Sequence, residues 1–544
     1  MPTKPQRLLH RLVANPPPVR GLNSTDAVAT MQPTDALEMD NFISADFGVT
    51  LREGWREYAT NLGGPVRTVF SYDGAPTLST ASPVSVSVLF AATDDGIFDV
   101  EGGGNMEAET PMIALSGAAY AGRLSFVDFT TAGGKYLVAC SETDGAFLFD
   151  GTTWSKMSSE GDPGPGVVTG VDPAMFVHVC AWKHRLMFVE RGGTVAWILP
   201  VGSVGGAAAK FDFGPLLRSG GMLLALANWT MDAGAGIDDR LVALGSSGDL
   251  LVYEGTDPTN ATQFRNVGVW YIGRPPVGRR CMTQSGGNVF VLTVFGVVPV
   301  AQVVQGGLDT LLMAGTEFLQ QLRKIQDVLN VDFATLIDTV GWEIMNFPTK
   351  ALMLIARPQL VVGEFVQYTF HKHALAWTRL LDIPAETFGR RLNEAYGGTD
   401  DGRVLQLFDG TQDGMLLDGT GAHEIRGRVT PAFNYFGDPT VLKQALMMRV
   451  NFLASSSPSY VLHVNRDFAV QPPPSAPALA GAVGSLWNHA MWDAAFWAGA
   501  IAAFGEWRSV EAMGFALAPT IYVASEQGAT IANIEYMVKP GGPL

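Results

Sequence analysis

The sequence predicts an all-β chain: a β-propeller of about seven blades, with six or eight also compatible, a short helical insertion, and a further β-rich region after it. Three observations predict this. A hairpin-like pattern recurs at multiples of about 50 residues, one segment breaks the pattern with helical spacing, and the composition changes beyond about residue 425.

Four segments carry the repeat most clearly: LFAATDDGIFDVEG from Leu89, YLVACSETDGAFLFDG from Tyr136, LVALGSSGDLLVYEG from Leu241 and AYGGTDDGRVLQLFDG from Ala395. Each is an apolar alternating run, a small-residue turn ending in glycine, a second alternating run, then an acidic residue and Gly. The turn glycines Gly96, Gly145, Gly248 and Gly402 are separated by 49, 103 and 154 residues, close to one, two and three units. HRLMFVERGGTVAWILP places a weaker turn at Gly193, VFVLTVFGVVPVAQVV one at Gly296, and ALMLIARPQLVVGEFVQYTF a stretched one towards Gly363. Asp-Gly and Gly-Gly supply the positive φ of tight hairpin turns, and flanking alternation turns one face inward. A four-stranded unit repeated every 40 to 50 residues is the sequence signature of a propeller blade. The boundaries read as 1–60 for an N-terminal segment, 61–425 for the propeller and 426–544 for a C-terminal β-rich domain. Unrelated hairpins in β-sandwiches are the alternative.

The interruption is GTEFLQQLRKIQDVLNVDFATLID, whose Phe318, Leu322, Ile325 and Leu329 recur at three- and four-residue spacing, the stripe of an amphipathic helix. It predicts a helical insertion at about 305–340 in the fifth or sixth blade, serving as a dock for a neighbour or simply packing on its own blade. Beyond residue 425, LKQALMMRVNFLA and PSYVLHVNRDFAV read as longer strands, QPPPSAPALAGAVG as a linker or exposed loop, and APTIYVASEQGATIANIEYMVKPGG as strands again. Trp487, Trp492 and Trp497 fall at intervals of five, neither a helical nor a strand period, which suits anchors of an irregular loop or interface.

Composition narrows the function classes. Apolar residues make up 47% and charged residues 16% of 544, against roughly 25% charged in an average domain, and mean hydropathy is +0.16. So little polar surface suits a subunit whose faces are covered by neighbours. No run of about 18 apolar residues is present, so insertion into a membrane is not expected, and MPTKPQRLLHRLVANPPPVRG lacks the apolar core of a signal peptide. The sequons at Asn23, Asn228 and Asn260 carry no meaning without secretion. A net charge of −16 opposes tight binding to a nucleic-acid backbone, which needs clustered Lys and Arg. An acidic wall that does not grip a sliding polymer remains compatible, as does mere solubility. Cys140, Cys180 and Cys281 sit in apolar stretches and read as free, buried thiols.

The constellations of catalysis are largely missing. There is no HExxH, GxSxG, CxxC or complete phosphate loop; TTAGGKY lacks its first glycine and its Ser or Thr. His178, Cys180 and His184 in VHVCAWKH could supply ligands or a thiol with a base, but strand packing explains them better. His371 and His373 read as a solvated strand face. The pairs Asp94–Asp95 and Asp400–Asp401 precede turn glycines and read as turn formers, since adjacent strand residues point to opposite faces. No cofactor or metal is expected, and the chain reads as non-enzymatic.

The N-terminal stretch RGLNSTDAVATMQPTDALEMDNFISADFGVTLREGW resembles the opening of tail nozzle proteins of short-tailed bacteriophages, also called tail tubular protein B. The matching positions are Gly21 and Asn23, then Pro33, Ala36 and Asn41, then Gly48, Arg52 and Gly54. FNYFGDPTVLKQALMMRVNF, with Gly437 and Lys443, and the tryptophan-bearing WNHAMWDAAFW are similar to that family's C-terminal portion. The resemblance covers both ends, with blade repeats between. It implies a structural virion protein of the tail, assembled in the host bacterial cytoplasm. It further implies a homo-hexameric ring below the portal and adaptor, a platform domain formed jointly by the N- and C-terminal segments, fibres or spikes attached outside, and viral DNA passing through the ring without sequence-specific binding. A propeller adhesin for a host glycan and a propeller glycosidase are the alternatives.

Overall fold

A computed structural model describes residues 11–74, 77–79, 82–84, 87–232, 237–260, 262–313, 317–471 and 501–543. The chain divides into two compact units: one comprises 57–367 with 382–407, the other 1–56, 368–381 and 408–544. The tryptophans Trp487, Trp492 and Trp497 and most of the Pro- and Ala-rich stretch lie outside the described residues.

The first unit is a β-propeller. Four successive four-stranded antiparallel sheets begin with the inner strands Val66–Asp73, Leu124–Thr131, Phe176–Trp182 and Leu223–Asp232. A three-stranded sheet follows from Met282–Ser285. A sixth set opens with the paired strands Glu343–Phe347 and Leu352–Ala356, and a seventh with Thr387–Arg391, Glu394–Gly398 and Val404–Leu407. Seven inner strands are therefore found among the described residues. The last set closes on the first: the N–H of Val66 donates to the carbonyl of Thr399, that of Leu62 to Gly402, and Arg403 Nη1 lies 3.0 Å from Glu57 Oε1.

Period-2 alternation assigns residues to blade interfaces rather than to an inside and an outside. In the first blade Val69, Leu89, Ala91 and Phe98 pack with Tyr396 and Val404 of the seventh. Phe70, Tyr72, Phe90, Ala92 and Ile97 pack on the other face, with Leu137, Phe147, Phe149 and Trp154 of the second. The same division recurs between blades two and three and between three and four. Both faces are buried, so the strands read as nearly continuous apolar runs, and the expectation of a single inward face is corrected. Truncating Phe90, which touches Phe149 and Trp154 edge-on, removes an aromatic from such an interface, a change that typically costs about 3–5 kcal/mol.

All six repeat glycines mark the turn from the second to the third strand of their blades, Gly96, Gly145 and Gly296 as the first residue of the third strand. Gly145, Gly248, Gly296 and Gly402 have φ between +80° and +99°, which L-residues with a Cβ rarely adopt. Two positions work differently from the expectation. At the Gly193 turn the positive φ falls on Gly192. At Gly96 the requirement is space, because a Cβ there would run into Pro111.

The helical insertion follows the fifth sheet as three helices, α1 (Val300–Met313), α2 (Glu317–Arg323) and α3 (Gln326–Leu336), instead of one. Ile325 is the N-cap of α3, so the predicted stripe is split across a break. Leu322, Ile325 and Leu329 are nonetheless buried and Phe318 approaches Phe290 of the fifth blade. The segment packs on its own blade.

The second unit joins the chain's two ends. The 14-residue strands Val441–Ala454 and Thr530–Pro543 are antiparallel partners, and Arg11–Asn15 and Gly48–Leu51 both pair with the latter. His423–Pro431 lies between Ala36–Asp40 and Leu517–Ser525, and Ser459–Arg466 pairs with Leu517–Ser525. Residues 408–425 group here because Gln412–Met415 runs parallel to Trp55–Arg56. No helix among the described residues is long and apolar enough to cross a membrane.

Candidate functional site

The positions that carried the family resemblance come together as the polar framework of the second unit. Arg52 has a fully buried side chain, and all five of its N–H donors are used. Nη1 and Nη2 form a fork on Asp413 at 2.7 and 2.6 Å, Nε donates to Asn41 Oδ1 at 3.0 Å, and the carbonyls of Glu53 and Leu381 accept the remainder. Asn41 takes φ +58°, a left-handed conformation that asparagine tolerates, and its amide donates to the carbonyl of Arg426. Gly54 is required by close approach: a Cβ would overlap the carbonyl oxygen of Gln412 on the strand beside it. Gly48 abuts Ile531 and Gly21 abuts Trp377 in the same way.

Asn23 donates to Asp26 and Asp35, and its backbone N–H meets the carbonyl of buried Ala36. Lys443 Nζ donates to the carbonyls of Phe515 and Asp438. Gly437 occupies a positive-φ turn, and Pro33 is an exposed turn residue. A second knot centres on Asp40, which accepts from Arg379 at 2.6 and 2.9 Å and from Arg428 at 3.1 and 3.2 Å. None of these groups lines either of the two propeller cavities described below. Their chemistry is that of a scaffold.

The propeller carries the concave site. A cavity of about 620 Å³ runs along its axis, lined by residues near the ends of all seven inner strands. Its floor is a charged layer where those strands begin. Arg280 donates to Glu343 at 2.8 Å, to Thr387 at 2.9 Å, to the carbonyl of Leu124 and to Thr68, so one guanidinium from the fifth blade ties the first, second, sixth and seventh. Glu343 is 5% exposed. On the far side of this layer lies a smaller cavity of about 280 Å³, lined among others by Arg67, Arg123, Arg357, Glu386 and Asp400. Burial and the neighbouring Arg280 lower the Arg123 pKa to about 10.

Asp94 and Asp400, expected as turn formers, also meet Arg67 from two different blades, at 3.3 and 3.7 Å. Asp95 and Asp401 stay with their turns: the Asp95 N–H donates to Thr93 Oγ1, and Asp401 pairs with Arg403.

His178 lines the axial cavity. Its Nε2 donates to the carbonyl of Leu226 at 2.9 Å, which leaves Nδ1 to accept the Ser125 hydroxyl at 2.6 Å. Burial holds it neutral, with a pKa of about 4. His184 instead stacks on Phe129 and Cys180 is buried, so the three residues do not converge on a ligand. Burial pushes the thiols of Cys180 and Cys281 up to about 12 and raises that of Cys140 as well. His371 ends its strand, and its Nδ1 accepts the Ala374 N–H in the following turn, which corrects the expectation of a strand face. Among the described residues no group of three or more His, Cys, Asp or Glu side chains could hold a metal ion.

The cavity's open rim is formed by Asp73, Asp128, Ala181, Asn228, Gln284, Asn346 and Arg390, one from each inner strand in turn. Asp128 is the perturbed member. Burial raises its pKa to about 6, against the pull of Lys135, whose Nζ lies 3.8 Å away, and with a contribution from the charge of Asp73. The rim leaves no local trace in the sequence because its members are 44 to 62 residues apart and follow no single residue type.

The fold and this axis define a β-propeller protein. No family model matches the chain, and no curated protein matches it. Among solved structures, Chaetomium thermophilum Raptor is similar at 11% identity and a TM-score of 0.35, covering 66% of this chain and 29% of that one. YCF48 from Cyanidioschyzon merolae is similar at 10% identity and 0.34, covering 65% and 98%. BBS1N, solved in complex with ARL6DN, is similar at 11% and 0.26, covering 42% of this chain and 59% of its own length. Likenesses at these scores carry no argument, and the propeller assignment rests on the sheets themselves.

Proposed function

We propose that the chain is a structural subunit of a short-tailed phage tail, of the nozzle type, acting as a ring of about six copies beneath the portal and adaptor and passing DNA without modifying it. The observation that carries this reading is the second unit. Residues 1–56 and 408–544 share one compact body, and the resembling positions Asn41, Arg52 and Gly54 form its buried framework. A joint N- and C-terminal platform is what the resemblance implies. DNA would run through the middle of the ring, not along a propeller axis, whose Arg280–Glu343 floor leaves no passage for a duplex. The net charge of −16 suits a wall that does not grip phosphates.

A non-catalytic role is supported by the state of the rim carboxylates. Asp73 accepts the Ser87 hydroxyl at 2.7 Å and Asp128 faces Lys135, whereas glycoside hydrolysis needs a free pair flanking the bond. The test is assembly: purified chain mixed with candidate portal and adaptor proteins should form rings in negative-stain images. A second reading, a propeller that holds a host glycan, is favoured by the open axial cavity.

A further inference from the structure

We infer that the smaller cavity, on the side of the charged layer where the inner strands begin, binds a small organic monocarboxylate. The carboxylate pairs with the Arg123 guanidinium, and the apolar body lies against Tyr120 and Val362. The inference is independent of the nozzle reading, since it concerns one propeller and no ring.

Three observations carry it. First, Arg123 is a cation without a counter-charge. Of the three arginines on the cavity wall, Arg67 meets Asp94, Glu386 and Asp400, and Arg357 meets Asp332 at 3.1 Å, whereas Arg123 forms no ion pair among the described residues. Its Nη2 donates to the carbonyl of Trp342 at 2.8 Å, and its Nε is buried without a partner. Nη1 has no hydrogen-bond partner either but, unlike Nε, is not closed off from solvent, so the tip of the side chain is open to the cavity it lines. A guanidinium stays charged, and a charge held away from bulk water without a partner is costly. An anion in the cavity relieves that cost. Second, the turn that carries Arg123 also carries a strained aromatic. The Arg123 N–H donates to the carbonyl of Tyr120 at 3.0 Å, and Tyr120 holds φ +65°, a conformation that a bulky residue rarely adopts and that clusters at ligand sites. Its ring is 40% exposed, lines the cavity and has the Arg67 guanidinium 4.9 Å from its centroid. Third, Val340, Pro358 and Val362 complete the wall, and Val362 is 98% exposed. The Gln359 amide oxygen accepts the Gly363 N–H and so holds this loop in place. A cation beside an aromatic face and aliphatic walls matches a carboxylate on an apolar body.

Size and charge narrow the class. The cavity's volume of about 280 Å³ lies just under the roughly 300–1,000 Å³ of small-molecule pockets, so the occupant is small. Glu386 and Asp400 line the same cavity, but each has its own partners: both meet Arg67, and Glu386 also accepts from Gln359 at 2.7 Å. They leave Arg123 to one negative charge and repel a second, which favours a monocarboxylate over phosphate. A cation would meet three guanidiniums on the same wall.

The test is isothermal titration calorimetry of the full chain with benzoate, its uncharged analogue benzyl alcohol, inorganic phosphate and spermidine. Benzoate should bind with millimolar affinity and the other three about tenfold more weakly or worse, the worth of one hydrogen-bonded charge. Arg123→Met strands no carboxylate, so the propeller should fold, and benzoate should weaken by about tenfold or more. Tyr120→Gly, at a φ that glycine adopts freely, should also weaken benzoate, and it decides the matter if Arg123→Met does not fold. Leu392→Ser, at an exposed turn beyond the end of the seventh inner strand, should leave binding unchanged. Thermal unfolding of each variant checks that the propeller is intact. No binding of benzoate, equal binding of any of the other three probes, or benzoate binding that survives Arg123→Met or Tyr120→Gly in a folded protein would each overturn the inference. Rings lacking in the assembly test would leave this result untouched.

Discussion

Replacing Arg52 tests whether the residues that carried the family resemblance are architectural. Its guanidinium holds Asp413 by two hydrogen bonds of 2.6 and 2.7 Å, and the two side chains are 0% and 3% exposed. Removing one partner of such a buried pair leaves an uncompensated charge and costs about 3–5 kcal/mol. Arg52→Met and Asp413→Leu should each fall in that range. The double variant, with no charge left to strand, should lose much less than the sum, giving a coupling energy of about 3 kcal/mol. Arg52→Lys should recover only part, because an ammonium has three donors and no fork while the site asks for five. The assay is equilibrium urea unfolding of the full chain, read by pulse proteolysis. Single variants within about 1 kcal/mol of wild type, or strictly additive effects, would refute the argument.

Other consequences follow from the same structure. Arg280→Met should destabilise the propeller by about 3–5 kcal/mol because it strands Glu343, and Arg280→Met with Glu343→Leu should restore much of it, measured in the same urea assay. The pH dependence should expose two opposing groups. Asp128, raised to about 6, adds stability at low pH that is lost as pH rises through 6, whereas His178, lowered to about 4, adds stability above its unfolded pKa that is lost as pH falls towards 4. In the window from about 4 to 6 the two slopes oppose one another. Asp128→Asn should therefore steepen the rise of stability with pH by up to about 1.4 kcal/mol per unit, and an unchanged slope would count against the burial argument. Gly54→Ala should cost about 3 kcal/mol, at the upper end for overpacking, because the new methyl meets backbone that is locked in a strand. The three cysteines, all buried, should be unreactive to a thiol reagent in the native protein and titrate fully in urea.

The blade rhythm was legible because each turn glycine has a local reason to recur: a positive φ at Gly145, Gly248, Gly296 and Gly402, or a close neighbour at Gly96. Of the N-terminal positions that carry the resemblance, Arg52 and Asn41 have a local reason to stand together, since they hydrogen-bond to one another across eleven residues. What pairs Arg52 with Asp413 and Gly54 with Gln412, some 360 residues later, has no local trace. The axial site was illegible on the same grounds. Its rim takes one residue from each blade, and no single blade reveals that Asp128 and Asn228 share a wall. The usable signals were the adjacent arginines Arg279–Arg280 and Arg390–Arg391 in a chain with 16% charged residues, since paired arginines beside apolar strands ask for partners. The helical insertion misled differently: three-and-four spacing continued across a break at Ile325, because residues on both sides of the break still face the fifth blade.

The most direct test of the central claim is the mass and symmetry of the purified chain, alone and with candidate portal and adaptor proteins, by light scattering and negative-stain imaging. The account predicts rings of about six copies with an axial hole, stabilised by those partners. A monomer that ignores them would contradict it.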